Sequence, residues 1–117
     1  MAPTAPVAPV AAAPSAGAPV VVTEADNGRT VALVRGQRLL VRLASDTEFE
    51  PWSVPDSSAP RRLRRSGASI SSDGGVEAEL IARAPGRALV TASRLPRCSG
   101  PCPAVAGYFE LRVVVRG

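Results

Sequence analysis

The sequence predicts an all-β fold, an antiparallel β-sandwich, and three observations carry that prediction. Short runs rich in Val, Leu and Ile alternate apolar and polar residues with the period of two that a half-buried strand requires. Turn signals such as Asn27-Gly28, Arg35-Gly36, Gly74-Gly75 and Pro85-Gly86 punctuate these runs, at the spacing of about eight to twelve residues usual for sandwiches. No run repeats with the period of an amphipathic helix. The chain has 117 residues, 45% of them hydrophobic, enough for one modest domain with its own core. Phe49, Trp52, Tyr108 and Phe109 are its aromatics, so the core must be Val, Leu, Ile and Ala, and the β-branched members favour strands.

Residues 1–19, MAPTAPVAPVAAAPSAGAP, alternate Ala, Pro and Val without charge. This is a linker composition, predicted to be a disordered tether, with the sandwich domain spanning 20–117. It lacks the basic start and unbroken apolar run of a signal peptide, and no stretch has the length of a transmembrane helix. From Val20 the strands follow in order. VVVT (20–23) ends at the turn Asp26-Asn27-Gly28, and Thr30 to Val34 ends at Arg35-Gly36. Arg38 to Leu43 places Leu39, Val41 and Leu43 on one face. Residues 44–60 read as a long acidic loop with one anchoring strand around Phe49, Trp52 and Val54. Leu63 and Ile70 flank Gly67, and Asp73-Gly74-Gly75 makes a turn. Residues 77–93 read as a hairpin, with Ala78, Leu80 and Ala82 inward, Pro85-Gly86 in a type II turn, and Ala88, Val90 and Ala92 inward on the return. Tyr108 to Val115 closes the sheet, with Phe109, Leu111, Val113 and Val115 inside. About seven such strands describe an immunoglobulin-like antiparallel β-sandwich.

The chain has no histidine, which excludes Ser-His-Asp and Cys-His nucleophiles, histidine-ligated metals and a histidine pH switch. Phosphate-binding glycine loops, the nucleophile elbow and kinase signatures are also absent, so no enzyme, metal or cofactor is expected. Both cysteines fall in RCSGPCP, 97–103. Two sulfurs without a histidine are too few for a zinc site. Three intervening residues with flanking prolines do not fit a thioredoxin-like motif. A Cys98–Cys102 disulfide is left; so short a ring contributes about 2 kcal/mol in the loop-entropy model, and its larger effect would be to shape residues 94–106.

Charge supplies two further candidates. Asp46, Glu48 and Glu50 recur at every second position and would share one face of an extended segment, a spacing that suits calcium, although a solvated acidic loop is the favoured reading. The basic run RRLRR, with Arg61, Arg62, Arg64 and Arg65, follows closely. It is a candidate patch for nucleic acid or another polyanion, but a solvated or acid-paired strand is favoured, so no nucleic acid is expected as partner. The net charge of +4, all of whose cations are arginine, names no partner by itself.

Three segments carry a resemblance: GQRLLVRLASDTEFEPWSV, GGVEAELIARAPGRALVTASR and YFELRVVV. Their order from residue 22 to 116 resembles the chagasin-type family of cysteine-protease inhibitors, immunoglobulin-like sandwiches of bacteria and protozoa. The first segment is similar to that family's opening strand and N-P-T-T-G-Y-x-W loop, with Thr47 and Trp52 at the threonine and tryptophan. Gly74 and Gly75 fall in its central glycine loop, and Arg94 at the arginine that opens its R-P-W loop. The resemblance implies that loops 45–52, 71–76 and 94–106 wedge into the active site of a papain-like protease. It implies a protein-binding module, expected to be a monomer; the absent catalytic motifs make it non-enzymatic, and a Pro/Ala tether beside a disulfide-capable domain suits a protein exported or tethered at a cell surface. A surface-tethered spacer or adhesin-like domain without inhibitory activity is the alternative, and polyanion binding through residues 61–65 a weaker one.

Overall fold

The computed structural model describes residues 18–97 and 107–117. It contains strands β1 (Val20–Thr23), β2 (Thr30–Val34), β3 (Arg38–Leu43), β4 (Asp56–Ser57), β5 (Leu63–Ile70), β6 (Val76–Ala82), β7 (Gly86–Arg94) and β8 (Gly107–Arg116), with a single 3-10 turn at Glu24–Asp26. One sheet has the order β1-β3-β6-β5 and the other β2-β8-β7-β4.

The expected alternation holds, and it builds the core. Leu39, Val41 and Leu43 of β3 and Ala78, Leu80 and Ala82 of β6 are buried on one inner face. Ala88, Val90 and Ala92 of β7 and Phe109, Leu111, Val113 and Val115 of β8 supply the other. Each fully buried Val, Leu or Phe contributes about 1.5–3 kcal/mol by leaving water.

Two expectations are corrected by the pairing. Residues 77–93 do not form a hairpin: β6 pairs with β3 and β5, whereas β7 pairs with β8 and β4. The backbone N–H groups of Arg83 and Ala84 donate to the Arg62 carbonyl at 2.7 and 3.3 Å, and Pro85 has no N–H to continue a ladder. Gly86 follows at φ 139, where a Cβ would also meet the Arg62 side chain at 2.5 Å, so the chain turns the corner into the opposite sheet. The sandwich is also not wholly antiparallel, because β1 runs parallel to β3 and β2 parallel to β8. The chain changes sheet from β1 to β2 and again from β2 to β3, reversing direction each time. Two reversals bring β3 back beside β1 pointing the same way.

Gln37 secures this crossing and is the buried polar residue of the core. Its Oε1 accepts from Val34 N–H and its Nε2 donates to the Ala18 carbonyl, both at 3.0 Å, while its own carbonyl accepts from Ala82 N–H at 2.9 Å. One side chain thereby ties the incoming chain to the β2–β3 corner. Arg64 and Arg65 lie on β5, an edge strand exposed along its length after Leu63 and bulged between Arg65 and Gly67. Charges and a bulge on an edge strand discourage pairing with another sheet. Arg65 also crosses the open seam of the sandwich, donating to the Pro55 carbonyl at 3.3 Å and lying 3.5 Å from the Asp56 carboxylate.

Replacing Gln37→Leu strands two backbone polar groups at the corner and should cost about 2 kcal/mol. Urea unfolding checks this, and an unchanged midpoint would show that Gln37 does not hold the crossing.

Candidate functional site

β3 and β5 end, and β6 starts, at one end of the sandwich; β7 ends and β8 starts there too. The loops expected to act together, 45–52, 71–76 and the described part of 94–106, therefore meet at that end. Asp46, Thr47 and Phe49 from the first loop, Asp73 and Gly74 from the second and Arg97 from the third line one depression of about 180 Å³.

The first loop is a turn rather than an extended strand. Asp46 Oδ1 accepts from Glu48 N–H at 2.9 Å and the Asp46 carbonyl from Phe49 N–H at 3.1 Å. Asp46, Glu48 and Glu50 therefore do not share a strand face, and among the described residues no group of three or more acidic, Cys or His side chains could hold a metal. Beyond the turn the loop runs along the third one. Phe49 bridges Pro96 in antiparallel fashion, Glu50 N–H donates to the Leu95 carbonyl at 2.7 Å, and Arg97 N–H donates to the Glu48 carbonyl at 2.8 Å. Ser53 N–H donates to the Ser93 carbonyl at 2.8 Å, and the strip continues into the β4–β7 pairing. The long loop with one anchoring strand around Phe49, Trp52 and Val54 is thus hydrogen-bonded along the edge of the second sheet, with strand pairing at the isolated Phe49–Pro96 bridge and in β4.

Arg94 sits at the centre. Its guanidinium lies 4.2 Å from the centroid of Phe49 and 4.3 Å from a ring of Trp52. Arginine is the cation suited to this, because its planar, weakly hydrated head stacks on aromatic faces. Its Nε is buried and has no hydrogen-bond partner among the described residues, and the two rings support the guanidinium by stacking. Trp52 is 5% exposed, and its indole N–H donates to the Ala44 carbonyl at 3.0 Å. It is a core residue at the base of the first loop, and through Arg94 it fixes the third. Gly107, paired with Arg94 across β7 and β8, makes room: a Cβ there would lie 2.7 Å from Arg94 Cγ and Nε.

The second loop is a tight connection between Ile70 and Val76. Ser71 N–H donates to the Gly75 carbonyl at 2.8 Å, and Gly74 at φ 93 takes a conformation that L side chains rarely adopt. A Cβ on Gly74 would contact Ser45 and Pro51, so this loop packs on the first. Asp73 closes it from within. The Ser71 hydroxyl and then the Gly75 N–H hold the Asp73 carboxyl below the usual aspartate value.

Of the residues expected at the site, Thr47, Trp52, Gly74, Gly75 and Arg94 all belong to this end, Thr47 exposed at the tip of the first loop. Cys98 and Cys102 lie outside the described residues. Arg61 and Arg62 lie at the opposite end, Arg62 donating through Nη1 to the Arg87 carbonyl at 3.1 Å. The acidic and basic stretches that neighbour each other in sequence are thus separated in space. Sequence reasoning missed Phe49, Arg97 and Gly107. Arg97 donates through Nε to the Phe49 carbonyl at 2.9 Å, and its guanidinium lies 3.9 Å from the Glu50 carboxylate.

No protein-family model and no curated protein matches the sequence. Solved structures do match in shape. The cysteine protease inhibitor EhICP2 from Entamoeba histolytica superposes with a TM-score of 0.65 at 14% sequence identity, covering 84% of this chain and 95% of that one. The solution structure of amebosin superposes with a TM-score of 0.61 at 20% identity, covering 86% and 100%. At these identities the likeness establishes the fold, and it is the sandwich that the order of segments led us to expect.

Arg94→Ala should empty the space between Phe49 and Trp52, shift tryptophan emission to the red and cost about 1–2 kcal/mol. Gly107→Ala should move both readings in the same direction by displacing the guanidinium. Unchanged emission and stability in both variants would show that the stack holds nothing.

Proposed function

We propose that the loop end of the sandwich binds the active-site cleft of a papain-like cysteine protease and blocks it, without chemistry of its own. The observation that carries this reading is the convergence of loops 45–52, 71–76 and 94–97 on one edge, on a fold shared with a cysteine protease inhibitor. Hydrogen bonds and the Arg94 stack tie these loops to one another before any partner arrives. A wedge ordered in advance spends little binding energy on ordering itself. Contact surface is available on all three loops, since Leu95 is 66% exposed in the third, Ile70 62% exposed at the start of the second, and Thr47 exposed at the tip of the first.

The reading includes a monomer exported to an oxidising compartment, held off a surface by residues 1–19, with Cys98 and Cys102 joined in the third loop. Among the described residues no helix is long and apolar enough to cross a membrane.

Titration of papain-like proteases with the purified protein should give inhibition competitive with substrate at micromolar concentration or below. Thr47→Arg/Leu95→Arg should weaken it at least about tenfold, or 1.4 kcal/mol, with the unfolding midpoint unchanged. No inhibition at micromolar concentration would refute the reading and leave the spacer alternative. Thiol titration of the unreduced protein should find no free thiol, and two free thiols would remove the disulfide.

A further inference from the structure

The ionic groups are sorted along the sandwich. Asp46, Glu48, Glu50, Asp73 and Glu77 belong to the loop end, where Glu50 and Glu77 are matched by Arg97 and Arg42. At the other end the backbone brings arginines together. Arg35 N–H donates to the Arg116 carbonyl at 3.0 Å, Arg83 N–H to the Arg62 carbonyl at 2.7 Å, and Arg62 Nη1 to the Arg87 carbonyl at 3.1 Å. Arg61 adjoins Arg62. All six are exposed, and none has a carboxylate within ion-pair distance among the described residues.

Arg65 and Arg38, one step further along the strands, do find acids, in Asp56 and Glu79. The corner arginines find none because β3 and β5 start there, β6 ends there, and the connecting turns carry no Asp or Glu. Like charges held together without counter-charge cost free energy that an anionic partner would remove.

We propose that this end docks on an anionic phospholipid surface. Guanidinium groups match phosphate oxygens in bidentate geometry, and six exposed ones at one end can meet several phosphates of one surface. The chain's connections agree with this orientation. Residues 1–17 join the domain at this end, where Gln37 Nε2 holds the Ala18 carbonyl, and β8 finishes there at Arg116. The acidic loop end points away from the surface. Nucleic acid fits less well: Phe49 and Trp52 are committed to Arg94, and Tyr108 pairs with Ser93 near the loop end, so no aromatic side chain stands among these arginines to stack on a base. The inference does not rest on protease binding, which uses the opposite end.

Sedimentation with phosphatidylcholine vesicles with and without phosphatidylglycerol tests it. The protein should partition to the anionic vesicles alone, and high salt should release it. Arg35→Gln/Arg83→Gln/Arg87→Gln/Arg116→Gln should lower the partition coefficient about fivefold per charge removed with an unchanged unfolding midpoint. Arg29→Gln/Arg42→Gln, which removes charge near the loop end, should stay within about fivefold of the parent. Equal partition to neutral and anionic vesicles, equal loss in both variants, or tighter binding to a single-stranded oligonucleotide than to the vesicles at the same salt would each overturn the proposal.

Discussion

Every strand from β1 to β8 answers to one constraint: each sheet has a single apolar face, and the two faces must cover each other. The chain meets it by changing sheets at its shortest connections, so that the strands on either side of them face each other across the core, whereas β5 pairs with β6 and β7 with β8. β2 and β3 are separated in this way by Arg35 to Gln37, and β6 and β7 by Arg83 to Pro85. Such corners leave backbone groups without ladder partners, and each is satisfied individually. Gln37 does so at the first, and the Arg62 carbonyl, accepting two N–H groups, does so at the second. The parallel pairs follow from this routing.

Much of the fold is legible in the sequence because side-chain alternation is a local property. Val20–Thr23, Thr30–Val34 and Arg38–Leu43 are strands with the bounds their patterns suggest, and the inward residues of β6, β7 and β8 are the expected ones. Alternation says which side of a strand faces the core; it does not say which sheet the strand joins. Pro85-Gly86 is as compatible with a corner as with a type II turn, and only the Arg62 carbonyl and the conflict between a Cβ at Gly86 and the Arg62 side chain decide between them. The same limit applies to residues 44–57. The residues they bond to, 90–97, are distant in the chain, so the sequence shows an anchoring strand there but neither its place in β4 nor its partner.

The site is legible in outline for a different reason. Thr47, Trp52, Gly74, Gly75 and Arg94 stand out through the order of segments around them, and they come together because the strands they terminate or follow end on one side. What ties them is less visible. Phe49 stands out only as one of a short apolar group with Trp52 and Val54, and its role depends on Arg94 arriving from another strand. The run at 61–65 shows the reverse. As a string it resembles a single basic patch, yet Arg65 bridges to Asp56, Arg62 is seated over Gly86, and Arg64 lies on an edge strand.

The pairing of Arg94 with Gly107 also bears on how such a chain can vary. While an arginine occupies position 94, position 107 has no room for even a methyl group; once the arginine is lost, the cavity it leaves favours a larger residue there. The two positions are therefore coupled although they stand on different strands, and a change at one alters which side chains the other can accept.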